Sequence, residues 1–411
     1  MNEHTCWRGT LAGVGPDDLI LAASIPIFFL LILVERQVDR RDATRKLYRF
    51  HDAITDLSCG IGSTVMGVVW GGLFVLAYIQ LVPHRFFDLE GPVEWLVAFI
   101  LYDFAYYWWH RANHRINVLW AAHIVHHQSE DYNLAVALRQ AWFTGWSAWI
   151  FYLPLALIGI DTEVYLATAA LNTIGQFWFH TRAIGRMGWF ESWLNTPSHH
   201  RVHHGIDPIY IDKNYAGILI IWDRLFGTFK EEEHEPTYGT VEPLRSWNPV
   251  WANFQYYGVI AAKMKKAPGL MKLWVPFAPP EWTADGPLEI PEPSHEAYST
   301  EVSPTLLKYV VVHFLPVAVM VLALLAVPLE REIQLLLVFL AVVTTAMWGG
   351  LFEQKWWAVP LERARLVALA LASALLGPWG IAIGVSIAAA SWVILPRCFS
   401  SSSPAAPVAT T

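Results

Sequence analysis

Several long apolar runs constrain the fold of this chain more than any other feature. A helix needs about 20 consecutive apolar residues to cross the hydrocarbon core of a bilayer. Backbone polar groups find no water there, so only helices and closed barrels can span it. The runs predict an all-α integral membrane protein, built as a multi-span helical bundle, and they cover residues 19–34, 54–82, 93–109, 143–160, 164–179, 306–327, 333–351 and 366–395.

Two of these regions leave the span count open. The runs 143–160 and 164–179 flank a short polar turn, so they are either two full spans or a hairpin that enters one leaflet and returns. Pro378 and Gly380 interrupt the last run, which is either one kinked span or two shorter pieces.

The composition supports lipid as part of the solvent. Hydrophobic residues make up 55% of the 411 residues and charged residues only 15%, whereas a soluble domain carries about 25% charged residues. The chain also has 22 Trp, a residue that concentrates at membrane–water interfaces. The net charge of −7 argues against a nucleic-acid partner, which would favour a basic surface.

Basic residues predict how the chain is oriented in the membrane. Together with the apolar runs, they divide the chain into five regions. Arginine and lysine crowd the loop after the first run, from Arg36 to Arg49, which places that loop in the cytoplasm. Alternation then places residues 110–140 and 181–304 on the same side. The predicted regions are 1–92 (N-terminal spans with the basic loop), 93–230 (catalytic), 231–304 (a cytoplasmic connector with amphipathic pieces lying on the membrane), 305–395 (C-terminal spans) and 396–411 (a disordered tail).

Histidines are concentrated in the predicted catalytic region. They form an H-x3-H motif and two H-x2-H-H motifs, at His110 and His114, at His123, His126 and His127, and at His200, His203 and His204. Residues three or four apart share one face of a helix, so the imidazoles of each motif converge. Each motif lies at or just beyond the cytoplasmic end of an apolar run, and bundling of the helices would bring the motifs together.

The number of imidazoles predicts two metal ions. One zinc ion takes three or four protein ligands, which leaves most of the cluster unexplained. Two iron ions with about four or five nitrogen ligands each would use all eight motif histidines, with His180 and His199 as further candidate ligands. His4, His51, His84, His234 and His295 stand apart and are predicted not to be ligands, and His313 is a weaker candidate inside a predicted span.

Polar and aromatic residues near the motifs are candidates for supporting roles. A metal-binding imidazole usually donates its other N–H to a carboxylate or a carbonyl. Polar candidates for this role are Asp103, Asn113, Asp131, Asp207, Asp212, Asn214 and Asp223. Nearby aromatic residues either line a lipid-shaped slot or form an interfacial belt, and these are Trp108, Trp109, Trp120, Phe177, Trp178 and Trp222.

The three motifs resemble those of the fatty acid hydroxylase and sterol desaturase superfamily of membrane di-iron enzymes, over residues 93–229. Residues 195–205, 211–215 and 222–229 are most similar to the ether-lipid (alkylglycerol) monooxygenases of this superfamily. The resemblance implies catalytic and iron-binding roles for the eight motif histidines, a lipid substrate, O₂, and hydroxylation of the carbon beside an ether oxygen. It also implies electrons from tetrahydrobiopterin or from another external donor, since the chain contains no recognisable reductase or cytochrome domain.

The leading hypothesis is therefore a lipid monooxygenase with two Fe ions. The alternative within the superfamily is a sterol or fatty-acid desaturase or hydroxylase, which the same ligands would serve. Outside the superfamily, the chain could be a membrane metal transporter or metal-binding protein, or a haem-binding cytochrome. A transporter would place its ligands near the bilayer midplane, whereas these motifs lie at one rim of the predicted spans. A cytochrome would need paired axial histidines deep within its spans.

Overall fold

The apolar runs form helices. The computed structural model describes residues 16–41, 47–293, 296–373 and 377–399, and within these ranges it contains α-helices, 3₁₀-helices and two isolated β-bridges but no strand. The predicted all-α class is confirmed for this part of the chain. The first seven α-helices are α1 (Pro16–Asp39), α2 (Phe50–Leu81), α3 (Gly91–Arg115), α4 (Asn117–Ala121), α5 (Ile124–His127), α6 (Gly145–Ile158) and α7 (Thr162–Gly175).

The chain from residue 197 onward holds the other described α-helices. Among them, α10 lies in the predicted connector, whose described residues contain no candidate span, and α11 to α14 follow it. These helices are α8 (Pro197–His203), α9 (Ile221–Phe226), α10 (Pro249–Lys266), α11 (Pro304–Ala326), α12 (Arg331–Phe352), α13 (Ala358–Ala372) and α14 (Gly377–Ile394).

Three described helices are long and apolar enough to cross a membrane, namely Pro304–Ala326, Arg331–Phe352 and Ile381–Cys398. Helix α2 and the 3₁₀-helix that follows it (Val82–His84) add a fourth if Phe50–Gly67 and Gly72–His84, which are bent by 50° relative to each other, form one broken span. The predicted integral membrane character is thus supported. Which side of the membrane each loop faces stays a prediction.

The two ambiguous regions each form a helix pair. Helices α6 and α7 have 14 residues each, which corresponds to about 21 Å of helix, shorter than the hydrocarbon core of about 30 Å. Gly159 joins them in a left-handed conformation (φ 111°) that suits glycine. These lengths favour the hairpin over two full spans. In the last run, α13 and α14 are separate helices that pack against each other, which favours two pieces over one kinked span.

The C-terminal helices enclose a buried polar network. The Arg365 guanidinium donates to both carboxylate oxygens of Glu362 at 2.6 Å. It also contacts His313 Nδ1 at 3.3 Å, and His313 Nε2 lies 2.9 Å from Ser391 Oγ. His313 therefore lies in the network that joins α11, α13 and α14, apart from the histidine motifs. Of the predicted tail, residues 396–398 belong to a 3₁₀-helix (Leu395–Cys398), and residues 400–411 lie outside the described ranges.

Candidate metal centre

The end of α3 and the short helices α5 and α8 carry most of the motif histidines into the protein interior. His110 and His114 occupy the last turns of α3, one turn apart. After α4, the short helix α5 carries His126 and His127. Helix α8 begins at Pro197, a residue favoured at the first helical position because it has no N–H to satisfy. All eight motif histidines are buried, with exposed fractions of 8% or less.

The imidazoles converge into two groups, within each of which the candidate ligand atoms lie within 4.8 Å of one another. We call them the five-histidine group and the four-histidine group. The five-histidine group contains His110, His114, His123, His127 and His203, and the four-histidine group contains His126, His180, His200 and His204. The structure thus brings together all eight motif histidines and adds His180.

The two groups contact each other through their imidazole rings. The His127 ring of the first group stacks on the His204 ring of the second, with centroids 4.4 Å apart. The His203 ring of the first group stacks on the His200 ring of the second, with centroids 5.2 Å apart. Because α5 and α8 each contribute histidines to both groups, the two groups adjoin each other.

Backbone carbonyls fix the tautomers of several imidazoles. His110 Nδ1 lies 2.7 Å from Tyr215 O, and His126 Nδ1 lies 3.1 Å from Arg139 O. His180 Nδ1 lies 3.2 Å from Gln176 O, and His203 Nδ1 lies 3.0 Å from Lys213 O. A carbonyl oxygen only accepts, so each Nδ1 carries the proton and each Nε2 keeps a free lone pair.

Free lone pairs that face each other fit a bound cation. In the four-histidine group, Nε2 of His126 and Nε2 of His180 lie 3.2 Å apart, although both rings donate from Nδ1. In the five-histidine group, Nε2 of His114 and Nε2 of His203 are buried without a hydrogen-bond partner in the described structure. Converging acceptors repel one another unless a positive charge lies between them, so these residues fit one metal ion per group.

Burial keeps these imidazoles in the form that binds metals. Desolvation, followed by the neighbouring imidazoles, lowers the pKa of His110, His123, His127, His200, His203 and His204 well below the usual value of 6.5. Desolvation lowers the pKa of His126 to about 4. The rings are therefore neutral near pH 7, and a neutral imidazole is the ligand that iron and zinc bind.

The tight turn at Asp212 and Lys213 orients two histidines of the five-histidine group. His114 Nδ1 lies 3.7 Å from a carboxylate oxygen of Asp212, and Lys213 provides the carbonyl for His203. Asp212 (φ 59°) and Asn214 (φ 54°) both adopt the left-handed conformation, which Asp and Asn tolerate better than other side chains. The negative carboxylate near His114 favours the ring orientation that points Nε2 into the five-histidine group.

Replacing Asp212 by Asn is expected to weaken metal binding by about tenfold or more, because the imidazole loses a carboxylate partner. The backbone conformation is kept, since Asn also tolerates positive φ. Competition with a chelator, followed by metal analysis of the protein, measures the change. The matched control is Glu281→Gln. Glu281 pairs with the same Arg115 but contacts no histidine in the described part of the chain. Equal chelator resistance of wild type and Asp212→Asn would count against this role.

Two buried carboxylates hold the loop that contains Tyr215. Asp103 accepts hydrogen bonds from Ile218 N (2.7 Å), Leu219 N (2.9 Å), Trp222 Nε1 and Asn172 Nδ2 (both 3.0 Å). Asp223 accepts from the backbone N–H groups of Tyr215 and Ala216. They therefore hold the Tyr215 carbonyl, which orients His110, without contacting the imidazole ring themselves.

The other predicted polar residues make different contacts. Asn113 Nδ2 donates to Trp109 O, and Asp131 pairs with Arg49. Asp207 accepts from Thr237 N, and Asn214 Nδ2 donates to the carbonyls of His199 and Lys230. Of the predicted aromatic residues, Trp120 lies beside the five-histidine group, with ring centroids 4.9 Å from His114 and 5.4 Å from His127.

The other histidines in the described part of the chain lie outside both groups. The ring of His199 faces Phe229 at a centroid distance of 5.3 Å, on another side of α8 from His200. His51 stacks on Trp247 (5.3 Å), and His234 is exposed, with 53% of its side chain accessible. His4 and His295 lie outside the described residues.

Some features of the site were not predicted. The four carbonyl acceptors come from the backbone at residues 139, 176, 213 and 215, and no side-chain pattern marks them. The buried ion pair between Arg139 and Asp56 (3.0 Å) was also missed, although Arg139 donates to Val125 O and supplies the carbonyl for His126. Its signal was available, since Asp56 is a charged residue inside a predicted span.

Comparison with known proteins agrees with this site. The fatty acid hydroxylase family model matches residues 95–228, which include every histidine of both groups. Human alkylglycerol monooxygenase is 40% identical over 300 residues, covering 70% of this chain and 67% of the relative. The enzyme of the same name from Xenopus tropicalis is 40% identical, with 64% and 60% covered, and that from Danio rerio is 38% identical, with 84% and 80% covered.

No solved structure matches the chain significantly. The matched residues include the helices that carry both histidine groups and the turn at Asp212. By sequence, the chain belongs to the fatty acid hydroxylase family, together with the alkylglycerol monooxygenases to which it is similar.

Proposed function

We propose that this chain is a membrane-bound di-iron monooxygenase that hydroxylates an ether lipid at the carbon beside the ether oxygen. The observation that carries the proposal is the pair of adjoining, buried histidine groups with converging lone pairs. The names of the similar alkylglycerol monooxygenases support the substrate class. Bound iron would supply the reductive activation of O₂ that no side chain provides.

In this proposal the five-histidine group holds one ion and the four-histidine group holds the other. Neutral imidazoles add no negative charge, so both ions would keep their full positive charge in a buried setting, where electrostatic interactions are stronger than in water. Carbonyl and carboxylate partners on Nδ1 hold the rings in fixed orientations. His199 has no ligand role in this proposal.

The reaction is R–H + O₂ + 2 e⁻ + 2 H⁺ → R–OH + H₂O. The O–O bond breaks, one oxygen atom enters the C–H bond and the other leaves as water. The two electrons come from a donor outside the chain, with tetrahydrobiopterin as the first candidate. On an ether lipid the product is a hemiacetal, which separates into an aldehyde and a glycerol derivative.

The test uses the purified full chain, loaded with Fe(II) in lipid nanodiscs that contain an alkylglycerol. We expect about two iron ions per chain, no haem absorption, and one labelled oxygen atom in the aldehyde product when ¹⁸O₂ is supplied with tetrahydrobiopterin. Parallel reactions with a sterol and with a free fatty acid test the alternative substrates. Bound zinc alone, bound haem, or product without ¹⁸O would contradict the proposal.

A further inference from the structure

Residues 249–277 form an exposed surface that the proposed reaction does not use. This segment, which we call the basic aromatic segment, consists of α10 and two 3₁₀-helices, Gly269–Leu273 and Val275–Phe277. One face of α10 is buried through Ala252, Asn253, Tyr256 and Ile260. The other face presents Trp251, which is 50% exposed, and Phe254, which is 46% exposed, at helical spacing.

The 3₁₀-helices expose a dense set of large apolar side chains. Leu270 is 80% exposed, Leu273 62%, Trp274 53% and Phe277 59%. Single exposed apolar residues are common on proteins, whereas a contiguous patch marks an interaction site. The patch therefore needs an occupant, either lipid or another protein surface.

Charge favours a lipid surface. Residues 243–280 contain five basic residues (Arg245, Lys263, Lys265, Lys266 and Lys272) and no acidic residue, in a chain whose net charge is −7. Lys265, Lys266 and Lys272 are exposed and lie among the apolar side chains. Lysines beside exposed Trp, Phe and Leu are typical of segments that lie in the headgroup region of an anionic membrane.

The segment is joined directly to the helix beside the five-histidine group. Tyr256 Oη donates to Asn117 Oδ1 at 2.9 Å, and Asn117 Nδ2 donates to Val275 O at 2.9 Å. Asn117 begins α4, and Trp120 of the same short helix contacts the rings of His114 and His127. A lipid bound along the segment would therefore lie one helix away from the proposed metal site.

We propose that the basic aromatic segment lies in the membrane surface and binds an anionic lipid leaflet, one helix away from the proposed metal site. Leu270, Leu273, Trp274 and Phe277 enter the region between headgroups and acyl chains. Lys265, Lys266 and Lys272 contact the lipid phosphates. The proposal concerns membrane contact and holds or fails independently of which lipid is oxidised.

The first test measures how deeply position 270 lies in the membrane. A fluorophore is attached to Cys at position 270 (Leu270→Cys) in a chain with Cys6→Ser, since Cys59 and Cys398 are buried. In nanodiscs with brominated lipids, we expect strong quenching of this probe and little quenching of a probe at Glu235→Cys, whose side chain is 57% exposed on a polar part of the surface. Equal quenching at both positions would overturn the proposal. Protection of position 270 from both brominated lipid and aqueous iodide would also overturn it, because it would indicate a second protein chain as the occupant.

The second test measures the preference for anionic lipid. Energy transfer from the same probe to labelled phosphatidylserine, compared with labelled phosphatidylcholine, reports local enrichment. Each lysine near an anionic surface contributes a factor of about five to binding, so the variant with Lys265, Lys266 and Lys272 changed to Gln should lose most of the enrichment. Lys355→Gln is the matched control, since Lys355 is also exposed and lies outside the segment. Unchanged enrichment in the triple variant would overturn the role of the lysines.

Discussion

His126→Ala is expected to reduce turnover by about a hundredfold or more and to lower bound iron from about two ions per chain toward one. Loss of a partner beyond the ligands costs about 10- to 100-fold in metal affinity or activity, and loss of a ligand itself is expected to cost more. The four-histidine group would keep only three imidazoles. Metal analysis of the purified chain and turnover of an alkylglycerol measure the two effects.

His203→Ala is the informative comparison for this prediction. It also removes a buried ligand candidate and should abolish turnover, but the five-histidine group would keep four imidazoles. Iron loss should therefore be smaller than in His126→Ala. The control is His199→Ala, a neighbour on α8 that lies outside both groups and should retain about two ions. Wild-type iron content and turnover in His126→Ala would rule out its role as a ligand.

Asp103→Ala is expected to destabilise the fold by about 4 kcal/mol, because it leaves buried donors without an acceptor. Two backbone N–H groups, an indole N–H and an amide converge on this carboxylate, whose residue is fully buried. The loop that they hold carries the Tyr215 carbonyl that orients His110. Thermal unfolding in detergent, followed by loss of bound iron, measures the effect.

Asp88→Ala is the control for this stability measurement. Asp88 also pairs with donors of a neighbouring side chain, but 80% of its side chain is exposed. Exposed ion pairs contribute about 0–1 kcal/mol, so unfolding should change little. A similar unfolding temperature for Asp103→Ala and Asp88→Ala would show that the loop does not depend on the buried carboxylate.

The sequence predicted that the motif histidines converge but not how they divide into two groups. Motif histidines four residues apart lie in the same group, as their spacing predicts, whereas those three apart (His123 and His126, His200 and His203) lie in different groups. Successive residues of a helix are about 100° apart, so His126 and His127 point into different groups. The same 100° step separates His203 from His204. His200 and His203 differ by only about 60° and still lie in different groups, so the division also depends on how the helices pack.

The hydrogen-bond partners of the histidines are harder to predict from the sequence. Asp212 was among seven polar candidates, and only its position in the folded turn separates it from Asp207, which instead holds Thr237. Carbonyl acceptors belong to every residue, so the sequence cannot mark Arg139, Gln176, Lys213 or Tyr215 for that role. The apolar runs, by contrast, can be read directly from the order of the residues, and they predicted the helices and the integral membrane character.

The left-handed turn at Asp212 and Asn214 limits how this part of the chain can change over evolution. A β-branched residue at either position would raise the energy of the turn by about 1–2 kcal/mol. Relaxation of the turn would also shift the Lys213 carbonyl away from His203. Variation at these two positions is therefore expected to be restricted to Asp, Asn and Gly, although neither residue needs to touch a metal ion. We then expect the main-chain conformation of this turn to vary as little among related proteins as the histidines do.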